Sequence, residues 1–357
     1  MRNVTSIVVA ALVTATSAHA APPIQSLGDD SVRMKRAFPA GEPLKDPKAR
    51  VGALPVPPQA SAAPDGASEW YAEVAFPQPV LGATLEHEGS LRSLVTRVHS
   101  DRGWYLFTGV GDDLDRTMID RVAVRSELIS SADSTAITRD RIASALANAE
   151  AIAKAHGAPA PAVSASPDVA VAKAGTALAL RASLGHNTIV RVRVVAPATK
   201  RISARALWES AYGAGFTWSG AGFERLPSDD DHVYGIDIAP LAGEPPFDPT
   251  ALPLGSAAGR AQVPASEPEA ATGGDVGGVE LSFDVSTAWH PGQVDEAMLA
   301  SAAYLASRLG GSVVMADGAP FDAAPIRAQV AAIEHAMRSA GVMPGTELAR
   351  DLDLAHH

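Results

Sequence analysis

Val279-Glu280-Leu281-Ser282-Phe283-Asp284-Val285 alternates apolar and polar side chains without a break. A period of two puts Val279, Leu281, Phe283 and Val285 on one side of a strand and Glu280, Ser282 and Asp284 on the other. One face is therefore buried and the other wet. Downstream, residues 292–309 carry Val294, Met298, Leu305 and Leu309 at helical spacing and stop at Gly310-Gly311. A strand over 312–315 leads to a last helix over 322–340. Asp322 caps it, Pro325 is tolerated in its first turn, and Ile326, Val330, Ile333 and Met337 form its buried stripe.

Working upstream, Ile189 to Val195 reads as a strand with Val190, Val192 and Val194 on one face and Ile189, Arg191 and Arg193 on the other. Ser203 is an N-cap for a helix over 204–212, which ends at Gly213-Ala214-Gly215. Short strand pieces follow at 216–218 and 222–225, then a strand at 232–238 and a flexible Pro-, Glu- and Gly-rich loop at 261–277. The expected fold is α+β: a split β-α-β, mostly antiparallel sheet with helices on one face and the other face free for water or a partner. The first half repeats the logic. Strands are expected at 70–76, closed by Pro77 and Pro79, at 103–108 and at 120–126, then helices at 138–156 and 168–184. Two α+β domains result, over 68–187 and 188–345, followed by a tail over 346–357.

The beginning of the chain has a different character. Arg2, an apolar run up to Val13 and the small residues Ala18 and Ala20 ahead of Ala21 read as a signal peptide cleaved after Ala20. The rival reading is an uncleaved membrane anchor over 1–21, with Arg33, Lys35, Arg36, Lys45, Lys48 and Arg50 held on the cytoplasmic side. Either one places the protein at the cell envelope. Residues 22–67 hold seven prolines between Pro39 and Pro64 with no apolar period, and read as a disordered, protease-sensitive tether.

Composition narrows the chemistry. The net charge of -11, from 29 basic and 40 acidic residues, argues against a nucleic-acid surface. The absence of cysteine removes disulfides, thiolate nucleophiles and Cys-ligated metals. Asp229-Asp230-Asp231-His232 has no glycine-spaced ligand series after it and reads as a solvated loop. Gly109-Val110-Gly111 lacks the third glycine of a dinucleotide fingerprint. Ser219 has no Gly-x-Ser-x-Gly frame, and Glu334-His335 has no second histidine at metal spacing. No catalytic residue, metal ligand or cofactor site is assigned, and the chain is expected not to be an enzyme.

Leu207-Trp208-Glu209-Ser210 through Gly213-Ala214-Gly215-Phe216 resembles the first helix and turn of the C-terminal domain of the ZipA family, the FtsZ-binding domain of the bacterial division protein. Pro245-Pro246-Phe247-Asp248-Pro249 looks like the family's Pro-Gly-Thr-Phe-Asp-Pro turn, and Gly278 to Leu281, the helix to Leu309 and Gly310-Gly311 match its central strand, long helix and turn. The ordered set covers roughly 188–341. The resemblance implies a non-enzymatic division protein at the inner membrane, on the cytoplasmic side. It would hold the FtsZ C-terminal peptide against its open sheet face during septum assembly, anchored to the membrane by the N-terminal segment. The alternative is an exported envelope module that reuses the fold for another partner. Carried over position by position, the resemblance places Ile189, Ala221, Phe223 and Leu241 in the apolar groove. Ser282 falls where the family has a large aromatic, Gly243 falls where it has a lysine, and Arg191 and Arg193 line the neighbouring strand.

Overall fold

In this computed structural model the described residues are 46, 49–57, 63–87, 96–107, 116–130, 133–185, 187–219, 222–227, 234–247 and 275–352. The N-terminal segment 1–21, most of the 261–277 loop and Asp229 to His232 lie outside them. Among the described residues no helix is long and apolar enough to cross a membrane.

Two antiparallel sheets organise the chain, and the α+β expectation holds for both. The first has strand order β3-β2-β4-β1-β5, built from β1 (Glu69–Leu81), β2 (Thr96–Ser100), β3 (Gly103–Phe107), β4 (Met118–Glu127) and β5 (Ala162–Val163). A short helix α1 (Gly82–His87) follows β1, and α2 (Arg139–Ala155) covers the face of β1 and β4 that carries Trp70, Ala72, Val74, Val122 and Val124. The helix α3 (Pro167–Leu184) packs on α2. Thr138 and Ser166 cap these two helices by accepting from Arg141 N and Val169 N.

One sequence expectation needs correction here. β1 runs through Pro77 and Pro79 to Leu81, because the β1–β4 register shifts between Ala75 and Val80 and places the prolines at the irregularity. The strand β2, the edge strand β5 and the helix α1 had no clear periodic signal.

The second sheet has strand order β11-β6-β10-β9-β8-β7. Its strands are β6 (Ile189–Val195), β7 (Thr217–Trp218), β8 (Phe223–Arg225), β9 (Ile236–Pro240), β10 (Gly278–Asp284) and β11 (Ser312–Met315). Its helices are α4 (Ala204–Gly213), α5 (Pro291–Leu309) and α6 (Ala323–Ser339). β10, α5 and β11 form the split β-α-β unit, since β6 pairs antiparallel with both strands and lies between them. The Gly-Gly turn is required sterically: Gly310 sits at φ +65, and a Cβ on Gly311 would fall 2.5 Å from the Val195 carbonyl oxygen. Ser203 makes no cap bond; Asp275 Oδ1 accepts from Ala204 N instead, at 3.1 Å. A residue across the long loop thus supplies what local sequence was expected to supply.

Both chain ends of the folded part depart from expectation. Within the expected tether, residues 46 and 49–57 form an extended strap over the helix side of the second sheet. Val51 and Leu54 are 7% exposed. Arg225 donates to the carbonyls of Val51 and Gly52, Tyr234 donates to that of Pro55, and Asp46 N donates to Gly213 O at 3.0 Å. Gly52 (φ +70) lies against Ala297 of α5. Such a segment cannot fold alone, but it acquires a core by borrowing one.

The expected tail contains the helix α7 (Glu347–Asp351), with Leu348, Ala349 and Leu352 buried. Its Glu347 approaches a buried ion network on the face of the first sheet opposite α2. There the Glu69 carboxylate, 1% exposed, accepts from Arg125 at 2.7 Å and pairs with Arg97 at 3.2 Å. Glu347 reaches Arg97 at 3.9 Å and Arg125 at 3.8 Å. The buried apolar residues of both sheets form one continuous cluster.

Two outcomes test this arrangement. Val51→Ala and Leu54→Ala, each emptying part of the strap's seat, lower unfolding free energy by about 1–3 kcal/mol in urea titrations. Asp351 is pushed from 3.8 to about 7, by burial and then by the charges of Glu347 and Glu127. Its folded pKa exceeds its unfolded one, so the folded state is favoured at low pH and loses that advantage as pH rises from about 4 through 7. Asp351→Asn therefore raises Tm at pH 8 and has a much smaller effect at pH 4.5.

Candidate functional site

β10 is the centre of the second sheet, and its alternation dictates which side chains face the helices. Val279, Leu281 and Phe283 are buried beneath α5, while Glu280, Ser282 and Asp284 lie on the helix-free face. The register extends this face across β6, pairing Ile189 with Asp284, Arg191 with Ser282 and Arg193 with Glu280. It also extends across β9 and β8, pairing Ser282 with Asp237 and Asp237 with Glu224.

Of the seven expected partner-binding residues, the structure brings Ile189, Arg191, Arg193 and Ser282 together on this face. Leu241 sits half-buried beside them, against the position where a Cβ on Gly278 would point. Ala221 lies outside the described residues.

Phe223 is placed elsewhere, and that expectation is corrected. Its register partner Ile238 pairs with Leu281, which puts Phe223 on the helix-covered side, fully buried. It stacks edge-on to Trp208 at 4.6 Å and lies 5.4 Å from Trp218 and 5.5 Å from Phe247. This aromatic cluster fixes α4 to the short strands β7 and β8. Phe223 lies on a strand of only three residues, too short to show a period, so its facing was not legible in the sequence.

The open face is charged but internally compensated on its basic side. Glu280 accepts from Arg193 at 2.9 Å and pairs with Arg191 at 3.3 Å. Two guanidinium groups share one carboxylate, which leaves about one net positive charge on β6. Asp284 is engaged by Ser286, whose backbone N–H donates at 2.9 Å and whose hydroxyl donates at 2.8 Å. On the other side, desolvation and the Glu224 charge push the Asp237 carboxyl up to about 6. The face thus runs from basic on β6 to acidic on β8 and β9. Its apolar parts are Ile189, Val195 and Leu241, each half-buried. Such a face suits an extended segment of mixed charge better than a greasy one, because complementary charge sets register at a rim. Among the described residues no His, Asp or Glu cluster could hold a metal ion.

Phe223→Ala removes the centre of the aromatic cluster and costs about 3–5 kcal/mol of stability in chemical denaturation. Arg191→Ala, whose side chain is solvent-facing, costs less than about 1 kcal/mol in the same assay.

The chain matches no family model and no curated protein.

Proposed function

We propose that this chain is a non-catalytic, envelope-tethered binding protein of the ZipA type. In this reading its N-terminal segment holds it at the inner membrane, on the cytoplasmic side. The helix-free face of the second sheet receives the FtsZ C-terminal peptide during septum assembly. The observation that supports the reading best is the face itself. It is a wide antiparallel surface with no helix over it among the described residues, and it carries Ile189, Arg191, Arg193 and Ser282 in register beside Leu241. An uncovered sheet centre is a natural seat for an extended peptide whose side chains alternate into and out of contact.

A second reading has its own supporting observation. No large aromatic stands on this face at Ser282, and Phe223 is turned into the core. Interfaces usually draw most of their energy from a few buried aromatic or arginine anchors. A face that offers arginines without an aromatic favours a polar partner, as an exported envelope module in the periplasm would have after cleavage following Ala20.

Titration of the FtsZ C-terminal peptide into the full chain, read by amide NMR shifts, tests the proposal. Shifts gather on Arg191, Arg193, Glu280 and Ser282, and Arg193→Glu weakens binding at least fivefold while Arg338→Glu on α6 does not. Absence of shifts on this face at millimolar peptide overturns the FtsZ assignment. Sequencing the N-terminus of the mature protein separates the two readings: Ala21 as first residue places the protein beyond the reach of cytosolic FtsZ.

A further inference from the structure

A cleft of about 410 Å³ opens between the first turn of α5 and the middle of α6, on the side of the molecule away from the sheet face described above. His290, Asp295 and Glu296 line it from the α5 side, and Arg327, Val330 and Glu334 line it from α6. Asp295 is only 1% exposed, and its Oδ1 has no hydrogen-bond partner among the described residues. Buried carboxylates almost always have partners, because withdrawing such a charge from water without replacement is expensive. The cost is visible in its acidity: burial pushes the carboxyl up to about 6, against the opposing pull of Arg327.

Arg327 is the natural counter-ion, yet the two do not form an ion pair among the described residues. Opposite charges line one cleft from two helices and are held apart. Glu334, about two turns further along α6, is committed to Arg338 at 2.6 Å. Glu296 is exposed at the rim.

A second anomaly lies at the mouth. His290 has left-handed backbone geometry (φ 55, ψ 67), which a non-glycine residue adopts at an energetic cost, and its side chain does not cap the helix it precedes. In the first turn of α5, Pro291 has no N–H and those of Gln293 and Val294 donate to the His290 carbonyl, which leaves the Gly292 N–H at the same end of the cleft. Asp295 comes only about one turn later on the same helix, a rise of about 4.5 Å from Gly292.

We propose that this cleft is a binding site for a small zwitterion, a free aliphatic amino acid in chemical class. Asp295 accepts hydrogen bonds from the primary ammonium group, while Arg327 and the Gly292 N–H donate to the carboxylate. Val330 supplies an apolar wall for a short side chain. The ligand completes both separated charges at once, which neither a simple amine nor a simple carboxylate does. The site is independent of the partner-binding face, so the two succeed or fail separately.

L-valine is titrated into the full chain at pH 7.5 and followed by amide NMR, with isobutylamine and isobutyrate as single-charge probes. Shifts confined to residues 290–296 and 327–334 and saturating with valine are expected, with each single-charge probe at least tenfold weaker. Asp295→Asn, which replaces an unpartnered buried charge with a neutral isostere, keeps the fold and loses at least tenfold in affinity. Arg327→Gln, a change at an exposed position, also loses affinity while leaving the far-UV spectrum unchanged. The proposal is overturned if valine produces no shifts in the cleft. It is equally overturned if both variants bind as the parent does, or if a single-charge probe binds as tightly as valine.

Discussion

The second half of this molecule depends on the period-two alternation of β10. Because β10 is hydrogen-bonded on both sides, to β6 and to β9, its side chains have only two directions available. Val279, Leu281 and Phe283 must share one direction, and the three helices gather there to cover them. The register then propagates outward strand by strand. It puts Val190, Val192 and Val194 of β6 under the same helices, and it carries Ile238 and Phe223 inward on the far side. A one-residue slip of β10 would expose Val279, Leu281 and Phe283 and bury Glu280 and Asp284. The charged face is therefore a consequence of the same constraint that makes the core.

The helix layer is not sufficient by itself. Between α5 and the β8–β9 end a groove remains, floored by Ala297 and Ser301 and walled by Arg225 and Tyr234, and the strap fills it. Arg225 is 9% exposed, and burial holds its guanidinium below its usual acidity constant. It tolerates that position because two strap carbonyls and the Ser301 hydroxyl accept from it. Recognition runs largely through strap backbone, with Val51 and Leu54 as the apolar contacts. A segment with tether-like composition is thereby part of the folded body.

At the opposite end, α7 is drawn onto the first sheet by buried charge. Glu69 binds two arginines, and Glu347 adds a second carboxylate at longer range. Buried ion pairs contribute less net stability than their Coulomb energy suggests, but they penalise misplacement severely. Their use here is positional: they help to specify where α7 docks, and Asp351 is raised there by burial first and by the Glu347 and Glu127 charges second.

The sequence by itself determined the elements whose signal is local. The alternation at 279–285 and 189–195, the helical stripes over 292–309 and 322–340, and the glycine turn between α5 and β11 were all legible, because periodicity and turn chemistry act within a few residues. So was the placement of Arg191 and Arg193 on the strand beside Glu280 and Asp284, whereas their shared pairing with Glu280 needed the register of the sheet. What only the tertiary structure decided depends on contacts between residues distant in sequence. Asp275 caps α4 from across a loop, and Arg225 orders a proline-rich strap more than a hundred residues upstream. Phe223 faces inward because of a register inherited from β10 through β9. The separation of Asp295 from Arg327 is likewise set by how two helices pack. Propensity carries no information about which distant group will arrive, so these features are written in the packing and not in the periodicity.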